Sequence, residues 1–172
     1  MKYRLSIALV PILLVACAAS MGGGTRAVAR LQPTTGNTAS GSVNFVQDAD
    51  IVKVSGEISG LKPNAEHGFH LHEKGDCSSG DGMSTGGHFN PDAKPYGNHG
   101  AAAHHAGDLP SLKADASGVA RLSFDSKTIS VGSGITNVIG RGLIVHRDPD
   151  GYTIQPTGNS GPRLACALVA AG

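Results

Sequence analysis

The sequence predicts an all-β domain, an antiparallel sandwich or barrel, on three observations. After an N-terminal leader the chain breaks into many short runs of strand-forming residues. Gly, Pro, Asn and Asp separate these runs at turn positions, at the close spacing of antiparallel connections. No stretch beyond the leader sustains the apolar period of a helix.

Taken in order, the chain first carries an address. Lys2 and Arg4 form a positive start, residues 7–16 form an apolar run broken only by Pro11, and LVAC ends at Cys17. The run is too short to span a bilayer. Small residues before a cysteine at such a point resemble the bacterial lipoprotein signal. Residues 1–16 are therefore expected to be a signal peptide, with Cys17 lipidated as the mature N-terminus. Either a lipoprotein or an ordinary secretory leader exports the protein; the first anchors it to a membrane from the periplasm, and Ala18 after Cys17 points to the outer membrane. Residues 17–25 are small and polar enough for a flexible tether, which leaves 26–172 as the folded domain.

Strands are expected at Ala27 to Leu31, Gly41 to Gln47, Ile51 to Ile58 and Glu66 to His72, then at Leu112 to Ala114, Val119 to Phe124, Leu143 to His146 and Leu164 to Val169. Two long insertions interrupt them, about Glu73 to Pro110 and Arg147 to Arg163. Loops of that length in a domain of this size are usually functional or disordered, and the first carries the candidate metal ligands, which favours function.

Charge and length exclude one class of partner. Without Lys2 and Arg4 the whole-chain excess of +1 becomes about −1, and aromatics are 4% of residues. Nucleic-acid binding thus lacks both its electrostatic and its stacking contributions. With Cys17 assigned to lipid, Cys77 and Cys166 remain, and an oxidising compartment favours a disulfide over two buried thiols.

The chemistry sits in the first insertion. Seven of the eight histidines lie between His67 and Asp108, and the eighth is His146. Imidazole is the commonest metal ligand, and histidines grouped with an aspartate suit copper or zinc. In HGFHLH, strand alternation puts His70 and His72 on one face, roughly 6.6 Å apart, with Phe69 and Leu71 on the other. His88, His99, His105 and Asp108 make three imidazoles and a carboxylate, a tetrahedral set for zinc. His70, His72 and His146 offer nitrogens to copper. Two metals account for the excess of ligands.

HGFHLHEKGDC, GGHFNPD, HHAGDLP, GLIVHRDPD and TGNSGPRLAC resemble, in order and across most of the domain, the successive signatures of the copper,zinc superoxide dismutases. The resemblance implies an eight-stranded antiparallel Greek-key β-barrel, an immunoglobulin-like sandwich in its layering, with the active site built on its outside by two long loops. It implies copper on His70, His72, His88 and His146, and zinc on His88, His99, His105 and Asp108, with His88 bridging the two. It implies a Cys77–Cys166 disulfide, Arg163 as the arginine beside the copper channel, and Asp150 as a carboxylate hydrogen-bonded between copper and zinc ligands. His99 is carried over on a His followed by Gly, at a longer spacing from His88 than in eukaryotic members. His67 is read as a packing residue bonded to backbone and His104 as solvated.

The implied substrate is the superoxide anion. One superoxide reduces Cu(II) and leaves as oxygen; a second reoxidises Cu(I) and leaves, with two protons, as hydrogen peroxide. His88 and Arg163 are the expected catalytic residues, one releasing its copper-side nitrogen for a proton, the other orienting the anion. Lys74 or Arg147 could add to the attraction. The rival reading is a non-enzymatic copper-binding or copper-buffering lipoprotein on the same fold; the complete histidine set with Arg163 favours the enzyme. A homodimer is left open.

Overall fold

The computed structural model describes residues 25–172. The leader and Cys17 lie outside the described residues, as does the tether up to residue 24. Nine strands follow: β1 Arg26–Pro33, β2 Ser40–Asp48, β3 Ile51–Ser59, β4 Glu66–His67, β5 Phe69–His72, β6 Leu112–Lys113, β7 Ala120–Ser126, β8 Gly142–His146 and β9 Arg163–Ala171. The expected run Glu66 to His72 is split at Gly68 into β4 and β5, so the eight expected runs appear as nine. Among the described residues the sole helical element is the 3₁₀ turn Met83–Thr85, and no helix is long and apolar enough to cross a membrane.

Seven strands form one curled antiparallel sheet in the order β5-β8-β9-β1-β2-β3-β7. The remaining pair, β4 with β6, spans the gap between its ends, because β4 runs into β5 and β6 leads to β7. Non-consecutive neighbours such as β1 beside β9 and β3 beside β7 are the crossovers of a Greek key. The interior follows the period of two expected of strands with one buried face. Ala27, Ala29 and Leu31 of β1, Val43 and Phe45 of β2, and Val52, Val54 and Ile58 of β3 are all buried in one core.

β5 and β8 depart from half-exposed alternation. Every residue of FHLH and of GLIVH is buried. Phe69, Leu71, Leu143 and Val145 join the core, while His70, His72 and His146 alternate onto the other face, which the two long insertions cover.

The first insertion docks on the free edge of β5. Phe89 N–H donates to Leu71 O at 2.9 Å, Leu71 N–H to Gly107 O at 2.9 Å, and Gly107 N–H to Phe89 O at 2.8 Å. These bonds occupy backbone groups that an uncovered edge strand would leave open. Gly107 permits the approach, since a Cβ there would fall 2.4 Å from Leu71 O. The second insertion is held at Gly68: its N–H donates to Asp148 O at 2.9 Å, and His146 N–H donates to Gly68 O at 2.8 Å. A Cβ on Gly68 would meet Asp150 and Ser160 at 2.7 Å. The residue that splits β4 from β5 is thus where the second loop is seated.

Candidate metal centre

His70 and His72 project outward from β5, and His146 from the end of β8, where a bulge between Val145 and His146 re-aims the strand and leaves His146 opposite Arg163. His88 reaches them from the first insertion, across an isolated bridge to His72. These four histidines each bring one ring nitrogen within 4.8 Å of the others, and His88 also meets His105 and Asp108 in a second group of the same tightness.

Hydrogen bonds fix which nitrogens face inward. His72 Nδ1–H donates to Gly86 O at 2.9 Å and His146 Nδ1–H to Gly161 O at 3.1 Å. A carbonyl can only accept, so each ring carries its proton on Nδ1 and a bare lone pair on Nε2. Both of those Nε2 atoms are buried without a partner, as is His70 Nδ1. His70 turns its other nitrogen, Nε2, to Asp150 Oδ1 at 3.0 Å, short of hydrogen-bond alignment. Asp150 in turn accepts from Ser160 Oγ, and its second oxygen accepts from Ser111 Oγ at 3.1 Å.

An unpaired buried polar atom costs about 1–3 kcal/mol. Three such lone pairs in one place therefore favour a shared cation, and an all-nitrogen set suits copper. His88 lies between the groups: its Nδ1 is 2.9 Å from Asp108 Oδ1, which leaves its other nitrogen for the four-histidine group. Asp108 Oδ1 is also 3.2 Å from His105 Nδ1, so the second group has the mixed N/O donors of a zinc site.

Electrostatics keep the donors ready. Burial, followed by the neighbouring imidazoles, lowers His88 to about 4 and His146 to about 3, and it lowers His72 as well. All three rings stay neutral and ligand-competent at neutral pH. Burial would raise Asp108 and Asp150, but hydrogen bonds from His105 and His88 outweigh it at Asp108, and the neighbouring His70 does so at Asp150. Both carboxylates remain ionised.

Against His72, His88 and His146 opens a cavity of about 310 Å³, whose walls also include Met83, Gly161 and Arg163. Arg163 is half-buried and held as a fork: Nη1 donates to Gly82 O at 2.5 Å and to Thr85 Oγ1 at 2.6 Å, and Nη2 donates to Gly86 O at 2.9 Å. The segment that supplies those acceptors is tied down by the Cys77–Cys166 disulfide, with Cα atoms 5.9 Å apart.

Three sequence expectations are revised. His99 is not brought into either group: its Nδ1–H donates to the Asp108 backbone carbonyl at 2.9 Å and its ring packs on His104 and Phe124. His104 is buried rather than solvated, donating from Nδ1 to His105 O at 2.6 Å. Arg147 is paired with Asp148 at 2.9 Å, which cancels its charge as a steering cation. His67 is buried and bonds the His146 carbonyl at 2.9 Å, a structural role.

One residue of the site was not singled out in the sequence. Tyr96 is 3% exposed and stands edge-on to His88 and His105. Burial and then the Asp150 charge push its hydroxyl well above the ordinary tyrosine range. The available signal was an aromatic ring inside a histidine-rich loop of a chain with three tyrosines.

Residues 39–169 match the copper/zinc superoxide dismutase (SODC) family. The chain is 42% identical over 135 residues to a Cu-Zn superoxide dismutase of Paramecium bursaria Chlorella virus 1, covering 75% of this chain and 71% of that one. It is 39% identical over 153 residues to an extracellular Cu-Zn superoxide dismutase of Brugia pahangi, covering 84% and 75%. Among solved structures, that of the clock protein EA4 superposes with a TM-score of 0.78 at 38% identity, covering 86% of this chain and 95% of the other. With a buried nitrogen-rich centre on a Greek-key sheet and this extent of likeness, the chain belongs to the copper/zinc superoxide dismutase family, enzymes that use copper and zinc to dismute superoxide.

Proposed function

We propose that this enzyme works outside the cytoplasm, tethered by lipid on Cys17 to a bacterial membrane facing the periplasm, the outer membrane being the reading Ala18 favours. There it protects the cell envelope from extracytoplasmic superoxide. Copper is held by His70, His72, His88 and His146, and zinc by the group around His88, His105 and Asp108. The observation that carries the metal-centred enzyme reading is three partnerless imidazole lone pairs that converge beside a cavity whose wall bears one fixed cation, Arg163. The LVAC leader supports export, and one relative is itself named an extracellular enzyme.

Bound copper supplies the one-electron redox chemistry that turns two superoxide ions and two protons into oxygen and hydrogen peroxide. The chain's own residues do the rest. Arg163, fixed by three acceptors, draws the anion into the cavity and orients it. His72 and His146 are held in the tautomer that presents Nε2, and Asp150 orients the ring of His70. His88, with Nδ1 toward Asp108, can take a proton on its other nitrogen and give it up again to the departing product.

The test is superoxide consumption by copper- and zinc-loaded protein; stoichiometric copper without turnover would return the reading to a copper buffer. Cys17→Ser tests the address. It should release folded, active enzyme from the membrane fraction, because the domain begins beyond that sulfur, and membrane retention at the wild-type level would refute the anchor.

A further inference from the structure

Zinc in a closed protein site takes four tetrahedral ligands. The second metal group gathers three: His88, His105 and Asp108. The ring that stands on its fourth side belongs to Tyr96. Its centroid lies 5.6 Å from that of His88 and 5.8 Å from that of His105, and those two are themselves 5.6 Å apart. Tyr96 therefore sits where a third imidazole would complete an even triangle of rings. His99 is turned away, held to the Asp108 backbone and packed against His104 and Phe124.

The phenol oxygen is buried without a hydrogen-bond partner. A Cβ on Gly158 would fall 2.4 Å from Tyr96 Oη, so the hydroxyl end lies under the second insertion, where Tyr152 stacks on the ring at 6.4 Å. The backbone of Tyr96 is clamped to the same insertion in both directions. Its N–H donates to Gln155 Oε1 at 3.0 Å, and Gln155 Nε2 donates to Tyr96 O at 2.9 Å. These contacts join the two long loops with no contribution from a fourth metal bond.

We propose that zinc in this chain is held by three side chains, His88, His105 and Asp108, with the Tyr96 ring closing the fourth side as a wall and a loop clamp, so that zinc exchanges readily. The inference rests on the metal-centre reading above. It assigns to Tyr96 the place that the family resemblance implied for His99, and it leaves water as the remaining ligand, the arrangement of an open rather than a closed zinc site.

Zinc retention during dialysis of the copper-loaded full chain against a graded chelator, with both metals counted by elemental analysis, tests it without recourse to activity. His105→Ala should lose zinc. His99→Ala and Tyr96→Phe should hold it within about twofold of wild type, since neither change removes a donor to the metal. Tyr96→His should hold it more tightly by at least the roughly tenfold that even an outer partner of a ligand is worth, because it places a nitrogen on the open side. Tenfold weaker zinc in His99→Ala would restore that residue as a ligand, and the same loss in Tyr96→Phe would make the hydroxyl one. Absence of tightening in Tyr96→His would also overturn the proposal. Copper content distinguishes the two failures: a wild type that binds neither metal faults the metal-centre reading, whereas full copper with zinc lost from His99→Ala faults this inference alone.

Discussion

At the scale of single residues, function turns on groups held by backbone carbonyls. Gly86 O accepts from both His72 and Arg163, so a ligand of the redox centre and the anion-orienting cation share one anchor. Arg163→Ala should keep the fold and both metals yet lose about tenfold or more in rate, the lower end of a steering range of which superoxide dismutases are themselves a standard example. Its dependence on salt should be shallower than wild type, because screening has less attraction left to weaken. Arg163→Lys should fall between, since an ammonium keeps the charge but cannot fill three fork positions. Wild-type turnover by Arg163→Ala at low salt with full copper would remove the role. The sequence displayed most of these residues, because ligands on strands have their faces set by alternation: His70 and His72 could be paired from HGFHLH alone. His99, His104 and Tyr96 lie in a loop whose path no period dictates. Which of them faced the metals had to await the backbone bonds that turn His99 toward Asp108 O.

At the scale of elements, β5 explains how a small sheet supports a metal site. Its inward pair Phe69 and Leu71 are rooted in the core, where each contributes about 1.5–3 kcal/mol by burial, and that rigidity is passed to His70 and His72 on the outward face. The strands were legible because each has a buried face and a Gly, Asn, Asp or Pro boundary. The split at Gly68 was not, since it arises from the second loop pressing on the chain there. Nor was the packing of residues 127–141, where Ile129, Val131 and Val138 enter the core from an irregular segment without strand alternation. The disulfide joins an element to a loop, from β9 to the stretch that carries Gly82, Thr85 and Gly86. Replacing both Cys77 and Cys166 by Ser should lower unfolding free energy by about 2–5 kcal/mol. It should also reduce activity beyond any loss of copper, because the acceptors of Arg163 are then free to drift. Urea unfolding read beside metal content and rate checks both parts, and unchanged activity per copper would show that the bridge stabilises without positioning.

At the scale of the whole molecule, the buried imidazoles tie stability to pH. His88 and His146 are held at about 4 and about 3 against an ordinary 6.5, and His72 is also lowered. Between the ordinary value and the lowered ones, the unfolded chain binds protons that the folded chain refuses, so stability falls as pH falls. The metal-free protein should therefore have a urea midpoint that is level above about pH 7 and declines steadily toward about pH 4. Metal-loaded protein should stand higher throughout, since ligands that bind only the folded state add to its stability. A midpoint of the metal-free form that stayed level across that interval would mean these rings are not buried neutral.

Met83 lines the cavity beside His72, His88 and His146 and is 60% exposed. Hydrogen peroxide leaving that cavity passes an open thioether, and thioethers accept oxygen to become sulfoxides. Met83 is then a wear part, and its oxidation is a running count of what the enzyme has made. After prolonged turnover, peptide mass spectrometry should find more sulfoxide at Met83 in copper-loaded protein than in copper-free protein exposed to the same superoxide flux. Equal oxidation of Met83 in the two forms would mean the peroxide had already mixed with bulk solvent before reaching the sulfur.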